Sequence, residues 1–261
     1  MSELEFWKKA LMCVDVCLAA YQEGDASRQT VRQYVYDYDE YKKFSVNTSQ
    51  ATCIKTLDHE YIIGFRGTDD LESALLDIKT WQTQSETVGD VHYGFKKYLD
   101  DIYAPIIKWL ESYSVREQKK KIIVTGHSLG GAAATIMAAR LKHNGYEHVE
   151  LYTYGSPRVG DKTFVSQFEG MPVHRFVNNN DIVCRIPPPV WYRHIGEMHY
   201  VNYAGNFVKY TMLGRAWDRF RSRIRALVKL EIFDGTYDHP AIWYRKRIDE
   251  QVQRIKSHSQ S

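Results

Sequence analysis

Residues 120–140 read KKIIVTGHSLGGAAATIMAAR, and the reading of this stretch decides the fold. Ile122-Ile123-Val124 is a short apolar run, which predicts a buried strand. Gly126-His127-Ser128-Leu129-Gly130 is a sharp glycine-rich turn, and the small residues 131–140 after it predict a helix. A G-x-S-x-G motif needs this strand–turn–helix context before it reads as a nucleophile elbow. A strand that turns straight into a helix strains the middle residue, and side chains two positions away on either side would strike backbone. Gly126 and Gly130 remove those Cβ atoms. Ser128 is then expected at the tip of the turn, with Oγ exposed above the sheet. The Leu129 amide falls at the helix N-terminus, where unpaired N–H groups and the helix dipole favour negative charge.

Working outward, Phe65-Arg66-Gly67-Thr68 is a second strand end that runs into a glycine and a small polar residue. It reads either as an ordinary strand-end turn or, in a hydrolase, as a loop that supplies an oxyanion donor through the amide, and the hydroxyl, of Thr68. Strand readings in 51–65 (a hairpin turning at Asp58-His59-Glu60), 122–124, 148–154 and 172–177 alternate with helix readings. This alternation argues for an α/β fold with a mostly parallel central sheet and helices on both faces. Ligand sites in such sheets lie at the carboxyl ends of the strands. Thr68 and Ser128 sit there, as does Asp181 in the run Asn178-Asn179-Asn180-Asp181. His239 stands just before a terminal helix over 241–255. The order Ser128, Asp181, His239 is that of α/β-hydrolase triads. Serine is a poor nucleophile at neutral pH and needs imidazole as base, and the imidazole needs a carboxylate to fix its tautomer. The tetrahedral oxyanion needs two donors, for which the amides of Thr68 and Leu129 are candidates. His194 and His199 also follow Asp181 and stay open as bases. Asp161 and Asp234 are the alternative acids. His127 adjoins Ser128, but in such an elbow its side chain points away.

Elsewhere, residues 3–22 read as an amphipathic helix that Gly24 ends, 31–46 are Tyr-rich and ambiguous, and a helix of about twenty residues opens near His92 with apolar residues recurring at helical spacing. In 69–90, Leu71, Ala74, Leu75, Ile78 and Trp81 form an apolar stripe, read either as a lid or as an ordinary core helix. Residues 182–191 contain Pro187-Pro188-Pro189 and are read as irregular, and 198–209 as a late hairpin turning at Ala204-Gly205-Asn206. Residues 209–231 hold seven Lys and Arg against Asp218 and Glu231. With Trp217, Phe220, Ile224, Leu227 and Val228 at helical spacing, they read as a basic amphipathic helix, either lying on an anionic membrane surface or docked with a solvated face. The tail 256–261 is expected to fray.

The chain has 261 residues, 44% of them hydrophobic, enough for a sizeable core in one domain over 1–261. A formal charge of +3 gives no global field for nucleic acid. Cys13, Cys17, Cys53 and Cys184 form no C-x-x-C pair and no zinc spacing, so they read as buried free thiols. The apolar stretch 10–20, ALMCVDVCLAA, is broken by Asp15 and preceded by Glu3 and Glu5, unlike a signal peptide. No run reaches the roughly 18–20 apolar residues of a membrane span. The expectation is a soluble protein, cytoplasmic or exported without a leader.

FRGT, the HYGF segment, VTGHSLGGA, YGSPRVG, NNDIV and DHPAIWY occur in the order found in the class 3 lipases, and over roughly 50–245 the chain resembles that family of α/β-hydrolases. RGTDDLESALLD is similar to the equivalent stretch of diacylglycerol-lipase-like members. The resemblance implies a lipase or esterase with Ser128 as nucleophile, Asp181 as triad acid, His239 as base, Thr68 and Leu129 at the oxyanion positions, 69–90 at the lid, and no metal or organic cofactor. Its substrate would be a lipid ester. A phospholipase or small-ester carboxylesterase on the same site, and a non-enzymatic membrane-binding module, are the alternatives. The basic segment 209–231 lies outside the family's core pattern.

Overall fold

The computed structural model describes residues 1–34, 38–68, 81–211, 213–218 and 238–259. Its frame is an eight-stranded sheet in the order β1-β2-β3-β6-β7-β8-β9-β10. The ranges are β1 Tyr38–Val46, β2 Ser49–Thr56, β3 Tyr61–Phe65, β6 Ile122–His127, β7 Val149–Tyr154, β8 Val173–Asn178, β9 Glu197–Val201 and β10 Phe207–Val208. Strands β3, β6, β7, β8 and β9 run parallel, with antiparallel pairs at both edges. The central parallel strands are buried on both faces, which is why Ile122-Ile123-Val124 is a continuous apolar run rather than an alternating one. A separate ribbon pairs β4, Gln82–Gln84, with β5, Asp90–His92.

Alternation along the strands divides the core in two. On one face Ile63, Phe65, Ile122 and Val124 pack with Phe95, Leu99, Ile102 and Ile106 of the helix Tyr93–Ser112 and with the alanines of the elbow helix Leu129–His143. On the other, Ile62, Ile123, Tyr152, Tyr154 and Phe176 meet α1, Glu3–Tyr21, and Tyr244, Ile248 and Val252 of the terminal helix Ala241–His258. The sheet therefore has helices on both faces, the layering of an α/β-hydrolase.

The hairpins at 51–65 and 198–209 form where the sequence puts them. Several boundaries move. Helix α1 ends at Tyr21 with Gln22 as its cap, and Gly24, at φ +53°, opens the next helix, Gly24–Tyr34, instead of closing the first. The ambiguous 31–46 stretch divides into the end of that helix and β1. The terminal helix continues through the tail expected to fray, as far as His258. A single 3-10 turn, Val183–Arg185, precedes the prolines. The apolar stripe of 71–78 and the basic residues beyond Asp218 up to 231 lie outside the described residues. Residues 81–90 are ribbon and turn, while 213–218 are helical. Among the described residues no helix is long and apolar enough to cross a membrane.

Candidate active site

Ser128 takes φ 57° and ψ −127°, a backbone conformation that L residues avoid. The surroundings explain how it is held. Its N–H donates to Tyr154 O at 3.0 Å, and its carbonyl accepts from Gly131 N at 2.9 Å. A Cβ on Gly126 would lie 2.1 Å from Gly130 O, and one on Gly130 would lie 2.3 Å from Phe65 O. Both glycines are therefore steric necessities of the elbow, as the motif reading requires. Ser128 itself is buried, at 2% exposure, not exposed at the tip as the isolated turn predicts. The reason lies in the loop after β3: Gly67 packs so close that a Cβ there would stand 3.0 Å from Ser128 Cβ and 2.8 Å from His127 O. Leu129 opens the elbow helix, so its amide belongs to the first turn, whose N–H groups have no acceptor within the helix.

Asp181 and His239, 58 residues apart, meet in the buried interior. His239 Nδ1 lies 3.0 Å and 2.9 Å from the two oxygens of the Asp181 carboxylate. That carboxylate also accepts from Val183 N at 2.9 Å and from Tyr244 Oη at 2.5 Å. Tyr244 Oη in turn accepts from Asn178 N at 3.0 Å. The His239 segment is tied to the same strand end: Asn178 Nδ2 donates to Asp238 O at 2.9 Å, and Asn180 N donates to Asp238 Oδ2 at 3.1 Å. With the Nδ1 proton directed at the carboxylate, His239 Nε2 keeps its lone pair. That nitrogen is buried, with no hydrogen-bond partner among the described residues. Gly155, at φ +58°, makes room for the pair, since a Cβ there would stand 2.8 Å from Asp181 Oδ2 and 3.0 Å from His239 Cε1.

His127 contributes more than its demotion in the sequence suggested. Its ring is tilted against that of His239 with centroids 4.6 Å apart. Its Nε2 lies 2.7 Å from the His239 carbonyl, which only accepts, so Nε2 carries the proton and Nδ1 accepts from Tyr21 Oη at 2.8 Å. Burial, reinforced by the neighbouring His239 imidazole, pushes His127 down to about 3, so it is a neutral strut. Tyr21, Tyr244 and Gly155 are the other contributors not singled out in the sequence, although Gly155 and Tyr244 lie inside YGSPRVG and DHPAIWY.

The rivals are occupied elsewhere. His194 Nε2 donates to Cys184 O at 2.8 Å, and burial pushes the ring's pKa well down. His199 pairs with His174. Asp161 caps the helix Lys162–Ser166 by accepting from Phe164 N at 2.7 Å. Asp234 lies outside the described residues. All four cysteines are free and buried.

A strained serine between a strand and a helix, with a buried Asp–His pair at the carboxyl ends of the strands, is the form that a nucleophile elbow takes in the α/β-hydrolase fold. Residues 62–191, just under half of the chain, match the family model for lipase (class 3), and over that stretch the chain is similar to that family. It is 34% identical over 149 residues to a secreted mono- and diacylglycerol lipase of Fusarium solani, covering 55% of this chain and 44% of that protein. It is 38% identical over 120 residues to toxin TseL of Vibrio cholerae, covering 45% of this chain and 18% of that protein. The chain thus spans less than half the length of these curated relatives. Lipase II from Rhizopus niveus has the same fold, with a TM-score of 0.69 at 23% identity over 77% of this chain and 82% of that one.

Proposed function

We propose that the chain is a serine hydrolase that cleaves carboxylic ester bonds of lipids, in the manner of acylglycerol lipases, with 1–261 acting as one catalytic domain. Ser128 Oγ attacks the acyl carbonyl while His239 Nε2 takes its proton. Asp181 keeps the Nδ1–H tautomer and stabilises the imidazolium that forms. The amides of Leu129 and Thr68 hold the oxyanion. His239 then protonates the leaving alcohol, and water, activated by the same nitrogen, releases the fatty acid. The observation that carries this reading is the Asp181–His239 pair, which leaves Nε2 buried, with its lone pair uncommitted among the described residues. The class 3 lipase match over 62–191 and the acylglycerol lipase among the relatives support the substrate class.

The basic run of 209–231 is read as contacting an anionic membrane surface, on the strength of its seven Lys and Arg and its apolar spacing. Replacing Arg219, Arg221, Arg223 and Arg225 by Gln should weaken binding to anionic vesicles, and unchanged binding sinks that part. The substrate class is tested by a hydrolysis panel of mono-, di- and triacylglycerol with neutral and anionic phospholipid, wild type beside Ser128→Ala. Serine-dependent release of fatty acid from acylglycerols is the expected result. A preference for anionic phospholipid would make the chain a phospholipase, and release only from short soluble esters would refute the lipid assignment.

A further inference from the structure

Away from the active site, two histidines and a glutamate come together on one face of the sheet. Strands β8 and β9 run parallel with His174 opposite Glu197. His199 lies two residues beyond Glu197, and residues two apart on a strand share a face. The donor atoms of His174, Glu197 and His199 all lie within 4.8 Å of one another. His174 Nδ1 and His199 Nε2 are 3.2 Å apart. Two nitrogens each bound to a tetrahedral Zn2+ at 2.0–2.1 Å stand about 3.3 Å apart, so the pair is spaced for one shared ion.

We infer that His174, Glu197 and His199 bind one divalent transition-metal ion of the Zn2+ type, through His174 Nδ1, His199 Nε2 and the Glu197 carboxylate. Without metal, the two imidazole nitrogens share a single proton. The ion replaces it with two coordinate bonds and adds the carboxylate, and it leaves a fourth position for water. The rings are preset by aromatic neighbours. Phe6 stands 4.9 Å from His174 and 5.1 Å from His199, Tyr152 stands 4.9 Å from His174, and Phe176 stacks on His199 at 4.8 Å. Such support lowers the cost of ordering ligands around an ion. Glu197 is exposed while both histidines are half-buried, which gives the ion a path from solvent.

The site sits at the amino ends of β8 and β9, whereas Asp181 follows the carboxyl end of β8. Its role is therefore to staple rather than to react. Among the described residues, the sheet continues beyond β8 through β9 and the two-residue strand β10. An ion bridging β8 and β9 fastens this edge, and with it the strand that leads into the Asp181 loop. The hydrolytic chemistry does not pass through it.

The test is Zn2+ and Co2+ titration of the whole, chelator-stripped chain, by calorimetry and by the visible spectrum of Co2+. Wild type should take up one equivalent, and saturating Zn2+ should raise its melting temperature, because an ion that binds only the folded state stabilises it by mass action. Glu197→Gln, at an exposed position, should weaken binding about tenfold or more, and His199→Asn should abolish it. His239→Ala should keep the full equivalent, which separates this site from the triad imidazole. No stoichiometric uptake by wild type would overturn the inference, as would uptake that Glu197→Gln leaves unchanged. If His199→Asn does not fold, Glu197→Gln decides the question alone.

Discussion

The neutral strut His127 makes stability depend on pH in a way that can be worked out. Burial, reinforced by His239, puts its folded-state value at about 3, against 6.5 for an ordinary histidine. A group whose pKa is lowered on folding contributes stability that is fully present above its unfolded value and is lost as pH falls towards the folded one. Between pH 7 and pH 5 the unfolded chain protonates at this position while the folded chain does not. Linkage makes the loss about 2 kcal/mol over that interval. Because the folded value lies far below pH 5, the figure depends almost wholly on the unfolded value. The perturbation is His127→Gln, which does not titrate and keeps a donor for the His239 carbonyl. The assay is urea unfolding at pH 7 and pH 5, followed by tryptophan fluorescence. Other groups that titrate with folding, such as His194 and His199, contribute equally to both proteins and cancel in the comparison. The variant should be less stable than wild type at pH 7, yet lose about 2 kcal/mol less on going to pH 5. Parallel losses in the two proteins would refute the neutral-strut argument.

Asp15 gives a contribution of the opposite sign. Burial raises its carboxyl to about 6, despite the opposing Arg245 guanidinium, whose Nε donates to it at 2.6 Å. Its stabilising term is fully present below the ordinary carboxylate value near 3.8 and is lost as pH rises through 6. Asp15→Asn should therefore gain stability relative to wild type from pH 4 to pH 7, and a relative loss over that range in urea unfolding would contradict the assignment. Tyr244→Phe removes a buried hydrogen bond to the Asp181 carboxylate and should cost about 1–3 kcal/mol of stability, read by the same method. Gly130→Ala places a methyl 2.3 Å from Phe65 O, between backbone segments that have no room to yield. It should destabilise by about 1–3 kcal/mol or more, seen as a lowered melting temperature, and an unchanged melt would show that the elbow relaxes freely.

The sheet and the elbow were legible because they rest on local signals. An apolar run, two obligatory glycines and a small-residue helix each report on their own neighbourhood, and together they fix Ser128 and Leu129 at the turn from strand to helix. Asp181 and His239 were legible through chain order, since each follows a recognisable strand end or precedes a helix. What escaped is what only tertiary packing decides. Ser128 looked exposed because the closeness of Gly67 to its Cβ joins segments about sixty residues apart. His127 looked like a bystander because its partners, Tyr21 and the His239 carbonyl, are 106 and 112 residues away. The helix signal in 256–258 was masked by polar residues whose backbone needs no apolar face to continue the last turn. Cross-strand neighbours such as His174 and His199 belong to the same class, because register between parallel strands is set by long crossovers and not by the strands themselves.

The claim beneath all of this is that Ser128 is the nucleophile and His239 its base. The most direct measurement is turnover of an ester substrate by wild type and Ser128→Ala, with the acyl-enzyme trapped by rapid quench and located by mass spectrometry. The account predicts an acyl group on the peptide carrying Ser128 in wild type, and a loss of about 10⁴–10⁶ in turnover for the variant. Near-normal turnover by Ser128→Ala, or an acyl group on any other residue, would contradict it.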